Sequence, residues 1–187
     1  NFIEPAITNM MDIKRDYSDE WVTWIVSVTG YSDADIKNMN DVAYNLGVGF
    51  IAINSSSELQ NYINSKNTTT WNLSHDREID PIDKVSFFSH GIYNNGAGSV
   101  ELGYHQHNQG ELSVNRNIIE GMFPQAFNDV NAVFYTCNSS TGGKNSVASV
   151  WKNHLGGFAT GYVGKITYEY IMYPATYAPY KKVYSQK

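Results

Sequence analysis

Short β-branched or aromatic runs alternate along this chain with segments of helical period, and that alternation limits the fold more than any other feature. "WVTWIVSVTG" (Trp21–Gly30), closed by glycine, reads as a strand. The segment from Ser32 then sets Ile36, Met39, Val42, Ala43 and Leu46 at helical spacing, with Ser32 or Asp33 as N-cap and Gly47 as C-cap. "GFIAINS" (Gly49–Ser55) is a second strand, and a short helix follows it, capped by one of Ser55 to Ser57. A polar loop from Asn67 to Pro81 leads to the third strand, "KVSFFSHG". Gly98–His105 reads as part of a small hairpin, and a helix starts near Ser113. "NAVFYTC" is the fourth strand. "KNSVASVWKNHLGG" is a helix that turns Val147, Val150, Trp151 and Leu155 inward, and Gly157–Tyr168 is a fifth strand. Residues 1–20 read as an N-terminal arm, and 169–187 as a strap or an extra strand.

Such an order implies βαβ units, hence an α/β fold with a mostly parallel sheet and helices on both faces. With 187 residues, 42% hydrophobic and 17% charged, the expectation is a single globular domain over 1–187. The net charge of -5 argues against a nucleic-acid partner. No apolar run approaches the roughly 20 residues of a membrane span. One cysteine leaves neither an intrachain disulfide framework nor a cysteine-rich zinc site. The opening "NFIEP", with no initiator Met, reads as a domain cut from a longer protein or as a processed product, and the Asn, Tyr and Ser content suggests a bacterial surface or secreted origin, so the expectation is a secreted or delivered bacterial effector.

In open parallel sheets, reactive groups collect beyond the carboxyl ends of the strands. His90 ends the third strand and Cys137, the chain's one thiol, ends the fourth. A thiol attacks as thiolate, and a neighbouring imidazole either lowers its pKa or takes its proton. Gly91 leaves room for a substrate beside the backbone, and its N–H with that of Cys137 would meet a developing oxyanion.

The pair "FFSHGI" and "FYTCNSSTGG" resembles the histidine and cysteine strands of the caspase-like cysteine peptidases, which include caspases, legumain, gingipains, clostripain, separase and the self-cleaving domains of large bacterial toxins. Cys-Asn-Ser-Ser-Thr-Gly is especially similar to the turn of the bacterial CHAT branch. The 47 residues between His90 and Cys137 are close to the roughly 50 of caspases. The resemblance spans about Trp21 to Tyr168. It implies a three-layer sandwich with strand order 2-1-3-4-5-6, and a peptide-bond hydrolase with His90 as base and acid and Cys137 as nucleophile. It implies a polypeptide substrate, which includes the parent chain if the domain is self-processing. A substrate pocket at the strand ends would take Asp80, Asp83 or Glu169, favouring a basic residue before the cut. Thr136 departs from the acidic, Ala or Gly residues frequent before the nucleophile. "NFIEP" loosely resembles the end of the repeat core of Rhs-type toxins.

Plainer readings stand beside these. Cys137 and His90 are also what an inert core thiol and a strand-end histidine look like. The same fold serves as a binding or scaffold module, or as another thiol acyl transferase. His105 and His107, with His90 or Glu101, have the composition of a metal site, although a hairpin surface explains them as well. His154 suits a helix C-terminus. Ser89 lacks the glycine a nucleophile elbow needs at Phe87, and the Walker pattern is absent from "STGGKNS". The sequence calls for no cofactor, and neither an EF-hand loop nor a dense basic cleft marks a calcium or small-molecule activator site.

Overall fold

The computed structural model describes residues 2–103, 112–168 and, as backbone, 183–186. It is a mixed α/β structure. The first strand, β1 (Thr23–Ser27), pairs in parallel with β2 (Gly49–Ile53). Between them runs α2 (Asp33–Asn45), preceded in the chain by α1 (Ile3–Asp16). A reciprocal capping box starts α2: Asp35 N donates to Ser32 Oγ, and Ser32 N to the Asp35 carboxylate. Gly47 ends it at φ +64°, a left-handed value that glycine adopts without strain. Ser55 caps α3 (Ser56–Ser65).

A second sheet orders β3 (Ile82–Phe88), β7 (Phe127–Tyr135), β8 (Phe158–Tyr162) and β9 (Val183–Gln186), the first three parallel and the last antiparallel. The short strands β4 (His90–Asn94), β5 (Ala97–Glu101) and β6 (Ser113–Val114) form a third, antiparallel sheet. The remaining helices are α4 (His75–Ile79), α5 (Arg116–Glu120) and α6 (Val147–Leu155).

Several expectations need correction. In the expected numbering of main strands, 2-1 lies in one sheet and 3-4-5-6 in another, and no pairing joins the first to the third. Side chains link their starts instead. Tyr62 Oη donates to Thr23 Oγ1, the Arg77 guanidinium stands over the Tyr62 ring, and Arg77 Nη1 donates to Asp80 O just ahead of β3. The arm expected over 1–20 is largely a helix, because Ile3, Ala6, Ile7, Met10 and Ile13 share one face and Pro5 sits in the first turn, where it is tolerated. The polar loop before β3 contains α4, capped by Ser74. The hairpin turns earlier than expected, at Asn95-Gly96, both at positive φ as the tightest hairpin turns require. The helix expected near Ser113 starts at Arg116, capped by Asn115.

Two apolar clusters lie against the strands. One joins α1 and α2 to β1 through Met10, Trp24, Val26, Met39 and Ala43. The larger centres on Trp151, which is fully buried and meets the rings of Phe87, Phe127 and Phe134 edge-on at 5.5 to 5.7 Å. These contacts fix α6 across β3 and β7. Trp151→Ala should therefore cost about 3–5 kcal/mol of unfolding free energy, read as a lower denaturation midpoint.

Candidate active site

The pairing of β3 with β7 sets where the chain segments that carry His90 and Cys137 leave the sheet. Its last five partner pairs run from Lys84↔Asn131 to Phe88↔Tyr135, each separated by 47 residues in sequence. His90 and Cys137 have the same separation (137 − 90 = 47), and each lies two residues past the final pair. The rings of Phe88 and Tyr135 stack at 4.8 Å, as do those of Phe87 and Phe134 at 4.7 Å. The two chains therefore leave the sheet side by side, in register.

β3 itself stops at Phe88, so the expected strand end at His90 is corrected: the chain bends at Ser89, and His90 opens β4. The Ser89 hydroxyl donates to Glu101 O, and His90 lies opposite Glu101 in the β4–β5 ladder. The bend presses Gly91 onto the Cys137 turn. A Cβ on Gly91 would lie 1.8 Å from Cys137 O, 2.8 Å from its carbonyl carbon and 2.9 Å from Thr136 Oγ1. Asn138 Nδ2 donates to Gly91 O at 3.5 Å. Here glycine is a requirement of contact, not of dihedral angle. The hydroxyl of Thr136, fully buried, has no hydrogen-bond partner among the described atoms.

A tight turn carries Cys137. Asn138 adopts φ +56°, within the range asparagine tolerates better than most residues. Asn138 N donates to Gly164 O at 2.7 Å and Ser140 N to Tyr162 O at 2.9 Å, which fasten the turn to β8 and the chain beyond it. Ser139 Oγ donates to Thr136 O at 2.9 Å and accepts from Tyr162 N at 3.0 Å. The half-buried thiol of Cys137 faces the Ile166 backbone: Sγ accepts from Ile166 N at 3.4 Å and donates to Ile166 O at 3.6 Å.

Burial pushes the His90 imidazole below its usual range, which keeps it neutral and able to accept a proton near pH 7. Burial, and then the proximity of the Cys137 sulfur, raise the Tyr168 phenol, so it remains a protonated donor. That hydroxyl lies 3.0 Å from Tyr135 O and 3.2 Å from Ser89 O, tying together the ends of the two strands. Phe2 packs edge-on against His90 at 4.6 Å and Tyr168 at 5.4 Å, giving the imidazole an apolar cover. Tyr168, Phe2 and the Ile166 backbone escape a motif reading because none belongs to the His or Cys strand.

Gly91 and Cys137 thus meet, with His90 next to Gly91 in the chain, but Asp80 and Asp83 do not join them. Both sit at the start of β3, and the seven residues from Asp83 to His90 span roughly 23 Å when extended. Asp80 is paired there with Lys66. Glu169, His105 and His107 lie outside the described residues. Glu101 is buried and accepts from Ser99 Oγ at 2.8 Å. His154 does sit in the last turn of α6, with Nε2 2.9 Å from Met122 O. Among the described residues, no group of three or more His, Cys, Asp or Glu is placed to hold a metal, and no helix is long and apolar enough to cross a membrane.

Gly91→Ala should displace the Cys137 turn, since the obstructing atoms are backbone. The expected loss is about 1–3 kcal/mol in chemical denaturation, with a changed rate of thiol alkylation in the protein that remains folded. In comparisons of the chain with protein-family models, curated proteins and solved structures, nothing matches.

Proposed function

We propose that the chain is a cysteine endopeptidase that hydrolyses peptide bonds with a Cys137–His90 dyad. One observation supports this reading: the 47-residue offset between His90 and Cys137 equals the β3–β7 register, and each residue lies two positions past the last pair of those strands. In this reading His90 takes the thiol proton as Cys137 Sγ attacks the substrate carbonyl, and then returns a proton to the leaving amine. Water hydrolyses the resulting thioester and regenerates the thiol. The N–H groups of Cys137 and Gly91 would receive the oxyanion. The substrate is a polypeptide, the parent chain included if the domain is self-processing in a delivered bacterial effector. The finer fold belongs to the same reading: a caspase-like sandwich ordered 2-1-3-4-5-6, with the first and third main strands consecutive although not hydrogen-bonded.

Phe2 against His90 favours a second reading, a binding or scaffold module of the same fold with a closed dyad. Reactivity separates the two. A catalytic Cys137 reacts with iodoacetamide at a rate that falls at least tenfold in His90→Ala, whereas a structural thiol reacts slowly in both proteins. Cleavage of a mixed peptide library, and of the chain itself, should vanish in Cys137→Ala and in His90→Ala while both variants still unfold cooperatively. A Cys137→Ala protein that still cleaves ends the peptidase reading. Because burial lowers the His90 pKa, the acid limb of the pH–rate profile should fall below the ordinary histidine value of about 6.5. An acid limb above it would contradict a buried neutral base.

A further inference from the structure

The first and third main strands face each other across open space. Within the described residues, β1 has only β2 as a neighbour and β3 only β7. The cavity between them, about 1090 Å³, is lined without a break by residues Val22 to Ser27 and by Pro81 to Ser89. Each edge presents backbone N–H and C=O groups that no strand pairs, the condition that attracts another strand. The link from Thr23 through Tyr62 and Arg77 to Asp80 holds the two starts at one end, so both edges run the same way.

The walls define the occupant further. On one face stand Ala6, Met10 and Ile13 of α1, and on the other Leu59, Ile63 and Met122. A strand between two apolar layers is itself apolar on both faces. Asp19, Glu20 and Asp83 also line the cavity and form no ion pair among the described residues, whereas Lys66 is engaged by Asp80 and the described Arg77 bonds go to backbone carbonyls. Lys84 is the remaining cation there. Asp83, beside the start of β3, and Asp19 and Glu20, ahead of β1, make that end of the slot acidic. A small molecule would leave two rows of ladder groups unmet, and a nucleic acid would meet the carboxylates.

We propose that this slot takes an extended peptide of a partner protein as an added strand, β-branched and apolar on both faces, with a basic residue at the end beside the starts of β1 and β3. The five residues of β1 span roughly 17 Å, so five to seven peptide residues fill it. This binding requires nothing of the thiol.

Amide hydrogen exchange on the wild-type and Cys137→Ala proteins tests the proposal. The probe is a seven-residue Val/Ile peptide flanked by lysines, compared with the same peptide N-methylated at alternate residues and with a Glu-flanked version. The Lys-flanked peptide should slow the slot-facing amides of Thr23–Ser27 and Ile82–Phe88 at least tenfold, equally in both proteins. N-methylation should abolish the protection, and Glu flanks should weaken binding at least fivefold at low salt. Three results would each overturn the proposal: no protection by the Lys-flanked peptide; equal protection by the N-methylated one; or full protection before any peptide is added, because the edges pair directly or a segment of this chain fills the slot. Cleavage data leave all these outcomes unchanged, so this proposal and the peptidase reading fail separately.

Discussion

The parallel register of β3 on β7 is the constraint on which the rest of the molecule depends. Five consecutive partner pairs hold it, and two stacked ring pairs make a slip expensive, because a one-residue shift would send every side chain of a strand to the opposite face. Beneath, Trp151 anchors α6 against the same two strands. The positions two residues past the sheet inherit that alignment. Two segments distant in sequence thereby leave the sheet as neighbours, and Gly91 meets the backbone of Cys137 just beyond it.

Beyond the sheet, close backbone contact fixes the chain more than side-chain polarity does. Gly91 touches the Cys137 carbonyl, so the start of β4 and the Cys137 turn cannot move independently. Bonds from Asn138 and Ser140 to the chain around β8 brace the turn from the other side. The thiol then sits against the Ile166 backbone, and Phe2 packs against the imidazole with Tyr168 beside Phe2. That cover has two effects. It lowers the basicity of His90, and it takes up the space beside the imidazole. A reactive site in this arrangement needs the Phe2 ring to yield.

The separation of β1 from β3 has its own physical basis. Arg77 is only 6% exposed, and its guanidinium donates to the carbonyls of Tyr62, Ile63 and Asp80. Two of those carbonyls belong to the last turn of α3, where a cation is favoured, and the Tyr62 carbonyl also accepts from Lys66 N at 2.8 Å. Burial lowers the Arg77 pKa, although a guanidinium begins so high that it stays charged. The group that caps α3 thus stands where the two strands begin, which favours two edges over one continuous sheet.

Local chemistry is what the sequence determined unaided. Ser32 with Asp35, Ser55 and Gly47 set helix limits that a reader can place to within a residue or so, since each acts on backbone groups close by in the chain. The strand residues around His90 and Cys137 were legible for the same reason, and their common offset was already present in the numbering. The helical face of α1 and the Asn95-Gly96 turn carried clear signals as well, but the polar neighbours of the one and the misplaced hairpin boundaries concealed them. Tertiary structure alone decided the gap between β1 and β3, the position of Asp80 and Asp83 far from the thiol, and the arrival of Phe2 at His90 and of Tyr168 at the ends of β3 and β7. Those outcomes rest on contacts between residues dozens of positions apart, whose energy comes from shape, burial and a guanidinium's choice of carbonyls, none of which leaves a periodic mark in the chain.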